Sequence, residues 1–213
     1  MHWDPDVHMR IDAALYAAEA RTDAEIVVAV ERASGSYRDV DCLAGAVIGA
    51  VVVLAMLGAH LGPFELADEW VVAPAVLAYV LALAVSSRTF FLRRLMTTEA
   101  RRAEQVQQAA RVAFVEEGVH ATRTRNGVLF YFSDLENGCE IVADHGVKAR
   151  VDDGTWHVIE QRLRQAAAED ALVPAIEKAL SSVTELLATK IPRTSERVKD
   201  EVERRLRVRG AAR

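Results

Sequence analysis

Read along its apolar positions, the chain switches repeatedly between helical and strand spacing. Pro5 suits a helix start, and Val7, Ile11, Ala14, Leu15 and Ala18 recur at helical spacing up to "RTD", so an amphipathic helix is expected first. "EIVVAVE" follows, β-branched and almost continuously apolar, the pattern of a strand buried on both faces. The serine and glycine of "RASGSYRD" end it. Further on, Leu92, Met96, Ala103, Val106, Ala110 and Ala113 keep a helical stripe as far as Gly118, a suitable C-terminal cap, so the helix of the apolar run before them is expected to continue unbroken to that point. "GVLFYFS" and "CEIVAD" read as a second and a third strand. Between them "DLENG" ends in Asn-Gly, a hairpin signal because both residues tolerate positive φ. Trp156, Ile159, Leu163 and Ala166 then mark one helix, and Leu172, Ile176, Leu180, Val183 and Leu187 another that Pro192 closes. Val198, Val202 and Leu206 leave a thin apolar stripe on a charged C-terminal helix, open to three readings, a surface helix, a coiled-coil fragment or a membrane-lying segment, of which its brevity favours the first.

Two longer runs break this pattern. "LAGAVIGAVVVLAMLGAHLG", residues 43–62, has no Asp, Glu, Lys, Arg or His but His60, and "WVVAPAVLAYVLALAVSS", residues 70–87, has none of these. Crossing a hydrocarbon core takes about 20 helical residues, and a core helix of a soluble protein normally keeps a polar stripe, which neither run has. Both are therefore expected to span a bilayer, with Pro74 in the first turn of the second. The connector "PFELADE" is short and acidic. Arg32 and Arg38 precede the hairpin, and Arg88, Arg93 and Arg94 follow it, so the positive-inside rule puts both flanks in the cytoplasm. "MHWDPDVHMR" is too polar for a secretory signal. A multi-pass membrane protein is expected, its soluble part on the cytoplasmic side.

The order helix, strand, hairpin plus helix, strand, strand, helix, helix then defines a fold class. A long crossover favours a parallel pair of strands one and two, with strand three antiparallel beside one of them. The expected fold is α/β, a small sandwich interrupted by a two-helix transmembrane hairpin. Residues 1–40 supply its first helix and strand, 41–90 the hairpin, 91–191 the remainder, and 192–213 the charged terminal helix.

Composition adds limits. The 213 residues carry a formal charge of −5, which argues against nucleic acid as a partner, since that would require a basic face. The basic "RTFFLRRLMTTEARR" after the second run can meet anionic lipid headgroups or only set topology. Gly45 and Gly49 in "GAVIG" allow close helix approach, either within the hairpin or between copies in a homo-oligomer. No P-loop, Rossmann or G-x-S-x-G signature occurs, so no organic cofactor is expected.

The acids form two groups. Strand length separates the hairpin turn from the far end of strand three by roughly 20 Å. At the turn, Asp134 and Glu136 join Glu31 at the carboxyl ends of the parallel strands, where ligands of open α/β sheets bind. Oxygen ligands of this kind suit Ca2+ or Mg2+; turn stabilisation by Asp134 and Asn137 accounts for the same residue types. At the other end lie Asp144, Asp152 and Asp153, with His145. Asp152 or Asp153 suits an N-cap, and the group is a second candidate for metal.

"DAEIVVAVERASGSYRD", "TRTRNGVLFYFSDLENGCEIVADHGV" and the Trp156 helix resemble the TPM domain, named for a thylakoid lumen protein, a photosystem II repair protein and a receptor modulator. They resemble in particular a bacterial branch in which a membrane hairpin interrupts the domain after its first strand. The resemblance covers roughly residues 8–190. It implies an α/β/α sandwich and, in some relatives, acid phosphatase activity or calcium binding; other relatives assemble or repair membrane proteins. Asp134 is the acid best matched to the family and Asp153 the next. Where many members have "GYGLEG", this chain has "ADHGVKA". Three expectations follow: an interaction or assembly module for an unidentified membrane protein, a weak metal-dependent phosphatase, or a structural membrane scaffold.

Overall fold

The computed structural model describes residues 5–60, 69–168, 172–194 and 207–209. They divide into two compact units, one built from residues 1–35 with 102–213 and the other from 36–101.

The first unit is organised by its strands. In β1 (Glu25–Glu31) and β2 (Gly127–Ser133) every residue is buried, as expected of continuous apolar runs packed on both faces. They pair in parallel, Glu25 opposite Gly127 and Glu31 opposite Ser133. β3 (Gly138–Ala143) runs antiparallel to β2 and alternates buried with half-buried residues, so one of its faces is less covered. The strand order is β3-β2-β1-β4, where β4 (Arg207–Arg209) pairs in parallel with β1. That last strand corrects the expected terminal helix. Residues 207–209 are extended, and Pro192 makes a bridge to Thr22; the rest of the expected helix, residues 195–206 and 210–213, lies outside the described residues.

Helices cover both faces of this mixed sheet. α1 (Pro5–Glu19), α7 (Asp153–Ala168) and α8 (Leu172–Lys190) bury Ile11, Leu15, Trp156, Leu180 and Leu187 against Ile26, Val28, Phe130 and Phe132. On the other face, α5 (Glu99–Glu116) lays Val106, Ala110 and Ala113 on Val27, Leu129 and Tyr131. The result is three layers, α/β/α. Gly118 ends α5 with φ 71°, a left-handed value that favours glycine, and a short 3-10 turn (Val119–Ala121) leads to β2. The β2–β3 turn uses only half of its Asn-Gly signal. Asn137 takes φ 48°, Gly138 already belongs to β3, and Asn137 N–H reaches Asp134 O at 3.3 Å across a four-residue loop.

The second unit is a helical hairpin, α2 (Arg38–His60) packed on α3 (Glu69–Arg88), followed by the short α4 (Phe90–Met96). Among the described residues α2 alone is long and apolar enough to cross a membrane; the apolar stretch of α3, Ala73–Arg88, is shorter. Two expectations need correction here. Pro74 lies beyond the first turn of α3, because that helix begins at Glu69. The stripe from Leu92 to Ala113 does not make one continuous helix: Thr89 (φ −113°, ψ 118°) and Thr97 (φ −114°, ψ 133°) are extended and isolate α4.

Gly45 and Gly49 face α3. A Cβ on Gly45 would stand 3.0 Å from the Tyr79 ring, and one on Gly49 3.5 Å from Tyr79 Cβ. Both glycines thus take part in close packing within the hairpin.

Candidate functional site

The carboxyl ends of β1 and β2 coincide, which brings Glu31 beside the β2–β3 turn. Pairing continues past the strands: Asp134 N–H donates to Glu31 O at 2.9 Å and Leu135 N–H to Arg32 O at 2.9 Å. Tyr131 projects to this edge from β2 and donates to Glu31 Oε2 at 2.7 Å. Its single proton being committed, it accepts from Ser34 Oγ at 2.9 Å. Burial, and then the Glu31 carboxylate, pushes the Tyr131 hydroxyl far above the ordinary tyrosine range.

Glu136 completes the cluster from the turn. Its Oε1 accepts the backbone N–H groups of Ser34 at 3.0 Å and Gly35 at 3.2 Å, and its Oε2 accepts from Ser133 Oγ. One buried carboxylate thus clamps the chain where it leaves β1 to the turn after β2. Such charge-assisted bonds are stronger than neutral ones and fix a loop that has little apolar content of its own. Of the three acids expected to share a cation, Glu31 and Glu136 enter one hydrogen-bonded network through Tyr131 and Ser34. Asp134 adjoins it through its backbone. Among the described residues no three His, Cys, Asp or Glu side chains are grouped closely enough to hold a metal ion.

The second group lies at the opposite end of β3, as strand length required. Asp144 caps the short α6 (His145–Lys148), its carboxylate accepting from His145 N–H at 2.7 Å, and Arg125 Nη1 stands 3.6 Å from its other oxygen. Asp152 accepts from Thr155 N–H at 2.9 Å and from Thr155 Oγ1 at 2.6 Å, so it caps the first turn of α7. Those bonds, the hydroxyl first, hold its carboxyl below the usual range. Asp153 opens α7, and its side chain lies outside the described residues. His145 is exposed.

A third cluster was not foreseen. At the base of the hairpin, Arg93 of α4 makes a two-pronged bond to Asp41 in the first turn of α2, 3.0 Å to Oδ1 and 2.6 Å to Oδ2. Ser86 of α3 donates to the same Oδ1 at 2.7 Å. The two charged side chains are 7% and 17% exposed, so the pair is largely removed from water. Three helices therefore meet on one carboxylate. Beside it, Arg101 bonds both oxygens of exposed Asp39, at 2.7 and 3.0 Å, and lies over the Tyr37 ring. Asp41 just ahead of an apolar run, with arginines just after the next, was the available signal; the pairing itself depends on the hairpin closing.

Fold and clusters together define a class: a three-layer α/β/α domain whose chain is interrupted, after its first strand, by an apolar helical hairpin. No protein-family profile and no curated protein matches the chain. Among solved structures, the NMR structure of the BA42 protein from the psychrophilic bacterium Bizionia argentinensis is similar, with a TM-score of 0.58 at 15% identity, covering 96% of this chain and 94% of that one. At that identity the likeness concerns the fold alone.

Proposed function

We propose that this chain is a membrane-anchored, TPM-like interaction or assembly module for other membrane proteins, sited in a bacterial inner membrane. In this reading α2 and α3 cross the bilayer as a hairpin and the α/β/α body lies on the cytoplasmic side. One contrast carries it. The polar cluster at the strand ends is tied together by hydrogen bonds among its own residues, whereas the outward faces of α2 and α3 present Val51, Leu54, Leu77, Val80 and Leu81. Leu54 is 67% exposed, a surface that water disfavours and lipid does not.

Within the cluster the hydroxyl protons are already directed. Tyr131 donates to Glu31, Ser34 to Tyr131 and Ser133 to Glu136. Such an arrangement is suited to holding a loop rigid for recognition. The apolar span of α2, Arg38–Ala59, is 22 residues long, which at helical rise corresponds to about 33 Å, enough to cross a hydrocarbon core. The basic flanks and acidic connector supply the sidedness.

The test has two arms. The full chain, purified in mild detergent, is assayed on phosphate esters with and without Mg2+ or Ca2+, beside an Asp134→Asn variant; no turnover is expected. Metal-dependent turnover abolished by that substitution would replace this reading with a phosphatase. In the second arm, crosslinking in native membranes should capture a distinct membrane protein. Contacts between copies alone would favour a scaffold.

A further inference from the structure

α4 is set apart by its surroundings. The apolar stripe running through "FFLRRLM" would let α3 continue, yet extended Thr89 and Thr97 cut out a seven-residue helix, and Arg93 on Asp41 fixes how it is turned. With Arg93 directed inward, the other side of α4 carries Phe91, 72% exposed, and Leu95, 69% exposed, four residues apart and so on one face. Together with Phe90 and Arg94 they line an open depression. The exposed apolar surface is continuous in sequence with that of α3, whose Leu77, Val80, Leu81 and Val85 are also exposed.

We propose that α4 is an interfacial helix, lying in the headgroup boundary at the end of the membrane hairpin, with Phe91 and Leu95 inserted among the upper acyl chains and Arg94 at phosphate level. The occupant of this face is the phospholipid bilayer itself. A short helix with adjacent aromatic, aliphatic and basic groups suits that depth, since the rings and alkyl chains enter the hydrocarbon while guanidinium groups meet anionic headgroups. Asp41 has a second consequence in this picture. By pairing with Arg93 it removes one cation from the lipid-facing side and prevents α4 from extending α3 into water. The inference rests on the membrane-spanning reading of α2 and α3.

The experiment uses the full chain in phospholipid nanodiscs, with its two cysteines replaced (Cys42→Ser, Cys139→Ala). Phe91→Cys, Leu95→Cys or Leu54→Cys then carries an environment-sensitive fluorophore. Nitroxide lipids bear the quencher either near the headgroup or deep on the acyl chain. Labels at positions 91 and 95 should be blue-shifted and lose more emission to the shallow quencher, while the label at 54 should lose more to the deep one. A quenched label at 54 with unquenched labels at 91 and 95 would overturn the interfacial helix and leave the hairpin standing, whether those labels face water or are shielded by protein. Unquenched labels at all three positions would overturn both.

Discussion

Strand β2 and helix α2 are both strongly apolar in sequence, and they end in opposite surroundings. All of "GVLFYFS" is buried, Phe130 and Phe132 completely, between helices that cover both faces of the sheet. In α2, Leu43, Val47, Ile48, Val51, Leu54 and Leu57 are exposed, and what is buried is largely small: Ala44, Gly45 and Gly49 against the neighbouring helix. Hydrophobicity alone therefore does not say what a segment is buried in. The strand obtains its apolar surroundings from the protein. In our reading the helix obtains them from lipid, and keeps for protein contact the small residues that let backbones approach.

The largest expected effect tests this contrast by truncation. Phe130→Ala should destabilise the body by about 3–5 kcal/mol, the usual cost of an aromatic core cavity. Leu54→Ala should leave the thermal melt of the detergent-solubilised chain unchanged. A comparable loss at Leu54 would place that side chain in a protein core.

Next comes the base of the hairpin. Asp41→Ala leaves Arg93 without its carboxylate in a site largely closed to water, and should cost about 2–3 kcal/mol in detergent melts. Adding Arg93→Met should recover most of that loss. If the double variant were no better than the single, Asp41 would matter for something other than this pair.

Tyr131→Phe should cost about 1–2 kcal/mol, because Glu31 and Ser34 lose a buried partner. It also carries a pH signature. In the folded chain the hydroxyl stays protonated well above the ordinary value of 10.0, so its contribution is complete below that pH. As pH rises further the unfolded tyrosine releases its proton first, and stability falls. Denaturant titrations should show a steeper alkaline decline for the parent chain than for Tyr131→Phe.

Two smaller effects refine the picture. Gly45→Ala, placing a methyl 3.0 Å from the Tyr79 ring, should cost about 1 kcal/mol in the hairpin and nothing in the body. Asp152→Ala removes an exposed cap from α7 and should give the slightest loss of this series. That contribution is present above the usual carboxylate range and fades as acid protonates Asp152, so parent and variant should converge at low pH.

Much of the body could be read from local pattern. Continuous apolar runs announced β1 and β2, their parallel pairing followed from the long crossover, and the turn residues announced the hairpin to β3. The features that escaped depend on tertiary contacts or on too little sequence. β4 is three residues, Arg-Val-Arg, without an apolar run, and only an open edge of β1 makes it a strand. The breaks at Thr89 and Thr97 were invisible because the helical stripe reads through them, while the contact that orients α4 joins residues 41 and 93. At the site, placing Glu31 beside the turn acids followed from strand order. The partners of Glu136 did not, since Ser34 and Gly35 lie about a hundred residues earlier and their backbone N–H groups leave no mark in composition.

The most direct test of the central claim is the behaviour of the full chain in native membranes washed with alkaline carbonate, which strips peripheral proteins and leaves spanning ones. The account predicts that the chain stays in the membrane pellet and is released only by detergent. Recovery in the aqueous wash would contradict it and return α2 and α3 to the interior of a soluble protein or assembly.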